Sequence, residues 1–248
     1  MAPNRKPHLT LVSLTVRDGN STLVETIKTF HAIALGDSHK TECAPCQDFA
    51  ATFEDPEKGI FIGAISDGHG GNDYFRSDRG SRLIVNIAIE SIREFVKSCE
   101  TSIFYKDFRQ RKTHIHEINE GVDHKDSLED IALQRLFSCI ITRWNDAIKE
   151  DWFKETPTEE DFGKFDISPE ALQSYLHAKD IEIAYGCTLI AFARTTDYWF
   201  AFHLGDGKCI AFSTDLDPWE PIPWDEQCKG NITTSISEMN AIENFRYS

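Results

Sequence analysis

Apolar and polar positions divide the chain into a region of predicted strands, a region of predicted helices and a second region of strands. Apolar residues alternate with small polar ones over residues 9–16, which is typical of a β-strand, and residues 27–35 form a second extended segment. Residues 49–53 and 60–66 are predicted to pair, because the polar turn at residues 54–59 joins them. The first part of the chain therefore predicts antiparallel sheet.

Two amphipathic helices are predicted next. Apolar residues recur at helical spacing over residues 83–95, and Ser77 or Asp78 is a suitable N-cap for that helix. A second, longer apolar stripe follows a capping-box-like start at Ser127 and Asp130. Stripes of this length predict helices that turn one face to a core.

The rest of the chain adds a short helix and a strand meander. Residues 100–126 are polar and predicted to be irregular, and a third helix is predicted to open at residues 168–170, with Pro169 in its first turn. Three short runs rich in Ile, Phe, Tyr and Trp then predict antiparallel strands at residues 187–194, 198–204 and 208–213. Strands, helices and strands again favour an α+β layered domain over a parallel βαβ sheet.

Composition narrows the possible functions. The 248 residues include 41 acidic and 26 basic ones, a net charge of -15, which disfavours a nucleic-acid binder with a basic surface. The sequence has no membrane-spanning segment and no signal-peptide core, which predicts a cytoplasmic protein. Seven cysteines without framework spacing predict free thiols. A zinc site built on Cys43, Cys46, His114 and His116 is the alternative.

The most informative stretch is FIGAISDGHGGNDYF at residues 61–75, where an apolar strand runs directly into Asp-Gly-His-Gly-Gly. Asp67 would be held at the edge of the sheet, and Gly68, without a side chain, lets its carbonyl approach a cation. His69 is able to move a proton near neutral pH. Because oxygen ligands suit Mg²⁺ or Mn²⁺, these coinciding features favour a metal site over a glycine-rich turn.

Two further acids are candidates for the same site. Asp48 enters the strand that pairs with the strand before Asp67, so the two carboxylates are expected to meet at one rim of the sheet. Such a pair can hold two ions about 3.5–4 Å apart that activate water for hydrolysis. Asp206 lies in the turn at residues 204–207, where it is either a third ligand or an ordinary turn residue.

In this order the motifs resemble those of the metal-dependent serine/threonine protein phosphatases of the PPM/PP2C type, most closely the bacterial variety. Gly-Asp-Ser-His-Lys at residues 36–40 precedes Gln-Asp at residues 47–48 and Asp-Gly-His-Gly-Gly at residues 67–71. Gly-Cys-Thr at residues 186–188 and Gly-Asp at residues 205–206 then follow, like the family's small-residue/Thr strand and its Gly-Asp turn. The resemblance covers most of the chain.

The resemblance implies a single domain over residues 1–248. Its fold would be the four-layer αββα sandwich, in which helices flank two antiparallel sheets. It also implies a centre of two Mn²⁺ or Mg²⁺ ions held by Asp48, Asp67 and the Gly68 carbonyl. Asp206 matches the family aspartate that supports an additional, weaker ion.

The reaction implied by the resemblance is hydrolysis of a phosphorylated protein. A hydroxide held between the ions would attack the phosphorus in line, without a phosphoenzyme. His69 would act as general acid toward the leaving seryl oxygen. The family's phosphate-binding arginine has no clear match, and Ser38, His39 or Lys40 is expected to bind the phosphate instead.

The chain departs from the family pattern near its end. The family has an Asp-Gly after a late strand and then an Asp-Asn, and neither follows Asp206 and Gly207 here. The domain is therefore expected to be incomplete at its C-terminus and to hold its second ion weakly. Two hypotheses stay open: a two-metal phosphoserine/phosphothreonine phosphatase, and a catalytically inactive module of the same fold that binds a partner or phosphopeptide.

Overall fold

The computed structural model describes residues 10–16, 26–33, 45–104, 109–113, 121, 127–212 and 217–248. The strands in these residues are β1 (Thr10–Val16), β2 (Thr26–Ala32), β3 (Phe49–Asp55), β4 (Ile60–Ser66), β5 (Arg111–Lys112), β6 (Leu189–Arg194), β7 (Trp199–Leu204) and β8 (Arg246–Tyr247). The α-helices are α1 (Ser77–Ser98), α2 (Leu128–Lys154), α3 (Glu159–Phe162) and α4 (Pro169–Leu176). Helices combined with antiparallel sheet confirm the predicted α+β class.

Six strands form one antiparallel sheet in the order β3-β4-β6-β7-β8-β5, and one face of this sheet packs against α1 and α2. Ile62 on β4 belongs to the same buried cluster as Ile84 on α1 and Ile140 on α2. At the β3 edge, the Arg93 guanidinium of α1 lies 4.1 Å from the centre of the Phe53 ring. Removing these apolar side chains from water stabilises the helix layer on the sheet.

The opposite face of the sheet carries the β1–β2 hairpin. The backbone amide and the hydroxyl of Thr29 on β2 both donate hydrogen bonds to the Glu54 carboxylate on β3. Because side chains alternate along a strand, Glu54 lies on the face away from Phe53 and α1. The six-stranded sheet therefore lies between the helices and the two-stranded sheet β1–β2.

Local capping residues explain where α2 and α4 begin. Ser127 and Asp130 form the predicted capping box of α2. Ser168 caps α4 through its hydroxyl, with Pro169 in the first turn as predicted. No helix in the described part of the chain combines the length and the apolar composition that a membrane span requires.

The start of α1 corrects the sequence prediction. Neither Ser77 nor Asp78 is the N-cap, because Arg76 occupies that position. Ser77 is the first helical residue, and its hydroxyl donates to the His69 carbonyl at 2.9 Å. The capping-type side chain therefore serves the preceding loop instead of the helix.

Two further predictions are corrected, one for a predicted strand and one for a segment predicted to be irregular. In the described part of residues 208–213 the strand prediction is wrong, because strand-like pairing there is one isolated bridge between Ala211 and Trp219. The position beside β7 belongs to β8 and not to this segment. Residues 111–112, inside the segment predicted to be irregular, form β5 and pair with β8. Two-residue strands are too short to show an alternating pattern.

Candidate metal centre and active site

Asp48 and Asp67 stand opposite each other at the end of the β3–β4 pair. Phe49 pairs with Ser66, so continuing the antiparallel register by one residue sets Asp48 opposite Asp67. Directly opposed residues have Cβ atoms about 4.5–5.5 Å apart on one face of the sheet. Phe49 faces α1, where the Arg82 guanidinium lies 4.7 Å from its ring centre. The two carboxylates therefore share the face turned away from the helices.

The loop after β4 stays paired with the chain before β6. The Thr188 amide donates to the Asp67 carbonyl at 2.9 Å, and the His69 amide donates to the Gly186 carbonyl at 3.0 Å. The Asp67 amide donates to the Thr188 hydroxyl at 3.1 Å. These bonds prolong the sheet past the end of β4 and fix the backbone that carries the Asp67 carboxylate.

Gly68 is required by the close approach of three backbone segments. A Cβ at Gly68 would lie 2.6 Å from the Gln47 carbonyl oxygen and 2.9 Å from the Ser77 carbonyl oxygen. Both atoms belong to the main chain, so a side chain here would push β3 or α1 away. A Cβ at Gly186 would likewise lie 2.8 Å from the His69 ring.

The Gly68 carbonyl faces the same rim as the two acids. The N–H and C=O groups of a trans peptide point in opposite directions, and none of the described peptide bonds is cis. Because the His69 amide points at Gly186, the Gly68 carbonyl points away from Gly186, toward the β3 side where Asp48 lies. Within the described residues no group donates a hydrogen bond to this oxygen.

The two acids change each other's ionisation. Asp48 is 7% exposed, whereas Asp67 is exposed. Burial, the charge of Asp67 and a hydrogen bond between the two carboxyl groups raise the pKa of Asp48 to about 7. A hydrogen bond between two carboxyl groups needs a proton, which Asp48 holds below a pH of about 7 when no cation is bound. A divalent cation can replace that proton, and the donor set fits Mg²⁺ or Mn²⁺.

His69 lies at the mouth of the loop. Its ring meets the edge of the Tyr74 ring, with the centroids 4.8 Å apart. Burial lowers the pKa of His69, and the charges of Asp67 and Asp206 act in the opposite direction. Asp206, in the turn after β7, is therefore within electrostatic reach of the loop after β4.

Comparison with known families identifies the family of the chain. Residues 35–248 match the model of the family described as Protein phosphatase 2C. The chain belongs to this family. The match confirms the predicted family and places the chain among phosphatase enzymes. Among curated proteins, no match was found.

Four of the residues predicted for the phosphatase site come together at the β3–β4 rim: Asp48, Asp67, Gly68 and His69. No three His, Cys, Asp or Glu side chains form a metal-binding cluster in the described ranges, so these acids are present as a pair. The predicted phosphate-binding residues, His39 and Lys40, lie outside the described residues. The same is true of Cys43, His114 and His116, on which the zinc alternative rests.

Several side chains that hold the loop were not predicted from the sequence. Gln47 donates to the His69 carbonyl at 3.1 Å, beside the Ser77 hydroxyl. Beyond the loop, the Asp73 carboxylate accepts hydrogen bonds from the Ser168 amide at 2.7 Å and from its hydroxyl at 2.8 Å. A register argument finds Gln47, because it places this residue opposite Gly68, whereas no local pattern indicates the Asp73 contact.

A buried arginine anchors α1, the helix that follows the loop after β4. Arg76 donates to the Tyr185 hydroxyl at 2.7 Å, and its guanidinium lies 5.2 Å from the centre of the Trp152 ring. The Tyr185 hydroxyl in turn donates to the Asp151 carboxylate at 2.7 Å. This network ties the start of α1 to the end of α2 and so fixes the far side of the loop.

Proposed function

We propose that this protein hydrolyses phosphoserine and phosphothreonine in proteins with the help of Mn²⁺ or Mg²⁺. The observation that carries the proposal is the placement of Asp48 opposite Asp67 at one rim of the sheet, a pair of carboxylates of the kind that divalent cations bind. The Gly68 carbonyl faces the same rim. Membership of the Protein phosphatase 2C family supports hydrolysis of a phosphate ester as the reaction.

Each group at the rim has a distinct task in this mechanism. Asp48, Asp67 and the Gly68 carbonyl would hold two cations. When bound, such ions lower the pKa of a water molecule and neutralise charge on the phosphoryl group. His69 would donate a proton to the leaving oxygen of the serine or threonine. The burial that lowers the His69 pKa also makes the protonated imidazole a stronger acid.

The remaining assignments rest on position in the family pattern. Asp206 would support an additional, weaker ion, and its electrostatic effect on His69 is consistent with that position. His39 and Lys40 would bind the phosphate of the substrate. Their compact positive or donor groups suit phosphate oxygens, although less specifically than the forked guanidinium of an arginine.

The finer architecture is part of the same proposal. Residues 1–248 would form one domain, and β1–β2 would begin the second sheet of a four-layer αββα sandwich. Support comes from the position of the hairpin, which lies on the face of the large sheet opposite the helices. The acids lie on that same face, as expected for a site between two sheets.

The test is phosphate release from phosphoserine, phosphothreonine and phosphotyrosine peptides by the purified protein, with Mn²⁺ and with EDTA. Asp67→Asn removes one member of the pair, and Asp146→Asn removes an exposed acid of α2 as the charge-matched control. We expect Mn²⁺-dependent release from the first two peptides that is lost only in Asp67→Asn. A folded protein without turnover would instead favour the inactive binding module.

A further inference from the structure

The His69 carbonyl is held by two side chains from different elements. The Gln47 side-chain amide donates to it at 3.1 Å, and the Ser77 hydroxyl donates to it at 2.9 Å. Gln47 precedes β3, whereas Ser77 opens α1. Two bonds to one loop carbonyl indicate that the peptide between His69 and Gly70 has a fixed orientation.

The neighbouring peptide is fixed as well. Its N–H, on His69, donates to the Gly186 carbonyl at 3.0 Å. Its C=O, on Gly68, therefore has one direction available, toward the rim where Asp48 lies. Loss of the bond from the His69 N–H would let the Gly68 oxygen turn away from the two acids.

Gln47 differs from Ser77 in what it connects. It directly precedes Asp48, and the β3–β4 register places it opposite Gly68. Its side-chain oxygen also lies against the loop, 3.7 Å from where a Cβ of Gly70 would be. One residue thus joins the backbone that carries Asp48 to the loop that carries Asp67 and the Gly68 carbonyl.

We propose that Gln47 is a positioning residue: its amide holds the loop after β4 against the entry of β3, and so sets the spacing of the oxygen ligands. This inference rests on the proposed function, because the spacing matters only if the rim binds a cation. Gln47 itself would contact neither the cation nor the substrate. Its effect would pass through the His69 carbonyl.

The matched pair Gln47→Met and Ser77→Ala tests this role, because each variant removes one hydrogen bond to the same carbonyl. Met keeps the length of the Gln side chain but cannot donate. Mn²⁺ binding is measured directly, from the electron paramagnetic resonance signal of free Mn²⁺ during titration, and Tm is measured without metal. The hydrogen-exchange rate of the His69 amide in the metal-free protein reports how firmly the loop after β4 is held.

We expect both variants to lower Tm by similar amounts, and Gln47→Met alone to weaken Mn²⁺ binding, by about 10–100-fold. Exchange at the His69 amide should also be faster in Gln47→Met than in Ser77→Ala. Equal Mn²⁺ affinity in the two variants would overturn the inference while leaving the proposed function intact. Absence of Mn²⁺ binding by the unmodified protein would overturn both.

Gln47→Glu separates positioning from ligation. A carboxylate of the same length cannot donate to the His69 carbonyl near neutral pH, so we expect weaker Mn²⁺ binding, as in Gln47→Met. Tighter binding by Gln47→Glu would mean that the side chain acts on the cation through its charge. That result would also overturn the inference.

Discussion

Two strands of the large sheet are followed by the same dipeptide, Asp-Gly: directly after β4, and after one more residue beyond β7. After β4, the backbone of Asp67 and His69 is tied to the chain before β6, and Gly68 lies close to main-chain atoms of Gln47 and Ser77. After β7, the described residues 208–212 pair through the isolated bridge of Ala211 with Trp219, and Phe212 is 75% exposed. The dipeptide supplies ligand chemistry in both places, but the neighbouring elements decide whether it is held rigidly.

The largest expected effect comes from removing Asp67, the acid at the β4 exit, where the chain leaves strand β4. Asp67→Asn should weaken Mn²⁺ binding by more than the about 10–100-fold typical of an indirect contact, because a direct ligand is lost. Asp206→Asn, the matched change after β7, should weaken it by less. Direct Mn²⁺ titration of both variants checks this order. A larger loss in Asp206→Asn would mean that the turn after β7 holds the main site.

The next largest expected effect is the pH dependence of Mn²⁺ binding. Because Asp48 retains a proton up to a pH of about 7, Mn²⁺ has to displace that proton, and its affinity should fall about tenfold per pH unit below this value. The titration is repeated between about pH 5 and pH 8. Asp48→Asn binds more weakly but should lose this pH dependence, and an equally steep dependence in that variant would contradict the assignment.

The proton on Asp48 also affects the stability of the folded protein when no metal is bound. The folded pKa of Asp48, about 7, lies above its ordinary value of 3.8, so between these values the folded state binds a proton that the unfolded state has released. The contribution of Asp48 to stability is therefore present at low pH and is lost as the pH rises toward about 7. Thermal unfolding of the metal-free protein against Asp48→Asn isolates this contribution. A difference that grows in favour of the unmodified protein as pH rises would reverse the sign.

Glycine substitutions measure how tightly each exit is packed. In Gly68→Ala the new Cβ would meet two main-chain oxygens at 2.6 and 2.9 Å, so we expect a loss of about 1–3 kcal/mol in the free energy of unfolding. In Gly207→Ala the close atom, at 2.4 Å, is the tip of the Ile190 side chain, which can rotate away. Chemical denaturation of both proteins checks the difference, and equal losses would contradict it.

The sequence predicted the β4 exit better than the β7 exit for a physical reason. Two strands of clear pattern and a short turn define the β3–β4 register, and that register alone brings Asp48 opposite Asp67. The strand that pairs with Phe202 and His203 of β7 is β8, a two-residue strand about 40 residues further along the chain. Local periodicity carries no information about such a distant partner, so residues 208–213 were predicted as a strand that the sheet does not accommodate.

The same limit applies to the side chains that support the site. Ser77 was predicted as a helix cap because Ser suits that position locally, yet its hydroxyl serves the His69 carbonyl. Thr188 was recognised only as part of a motif, although its hydroxyl and amide both bond to the backbone of Asp67. Residue type predicts that a polar group needs a partner, and the fold determines which partner it finds.

The smallest expected effects compare single side chains at the two exits. Thr188→Val keeps the shape of the side chain but leaves the partly buried hydrogen bond of the Asp67 amide unmade, which should cost about 1 kcal/mol of unfolding free energy. Phe212→Ser changes an exposed side chain and should stay within about 0.5 kcal/mol of the unmodified protein. Denaturant titrations of the two variants check both values. A loss in Phe212→Ser as large as that in Thr188→Val would mean that the Phe212 side chain is packed against a partner. The contrast between the chain after β4 and the chain after β7 would then be smaller than their described contacts indicate.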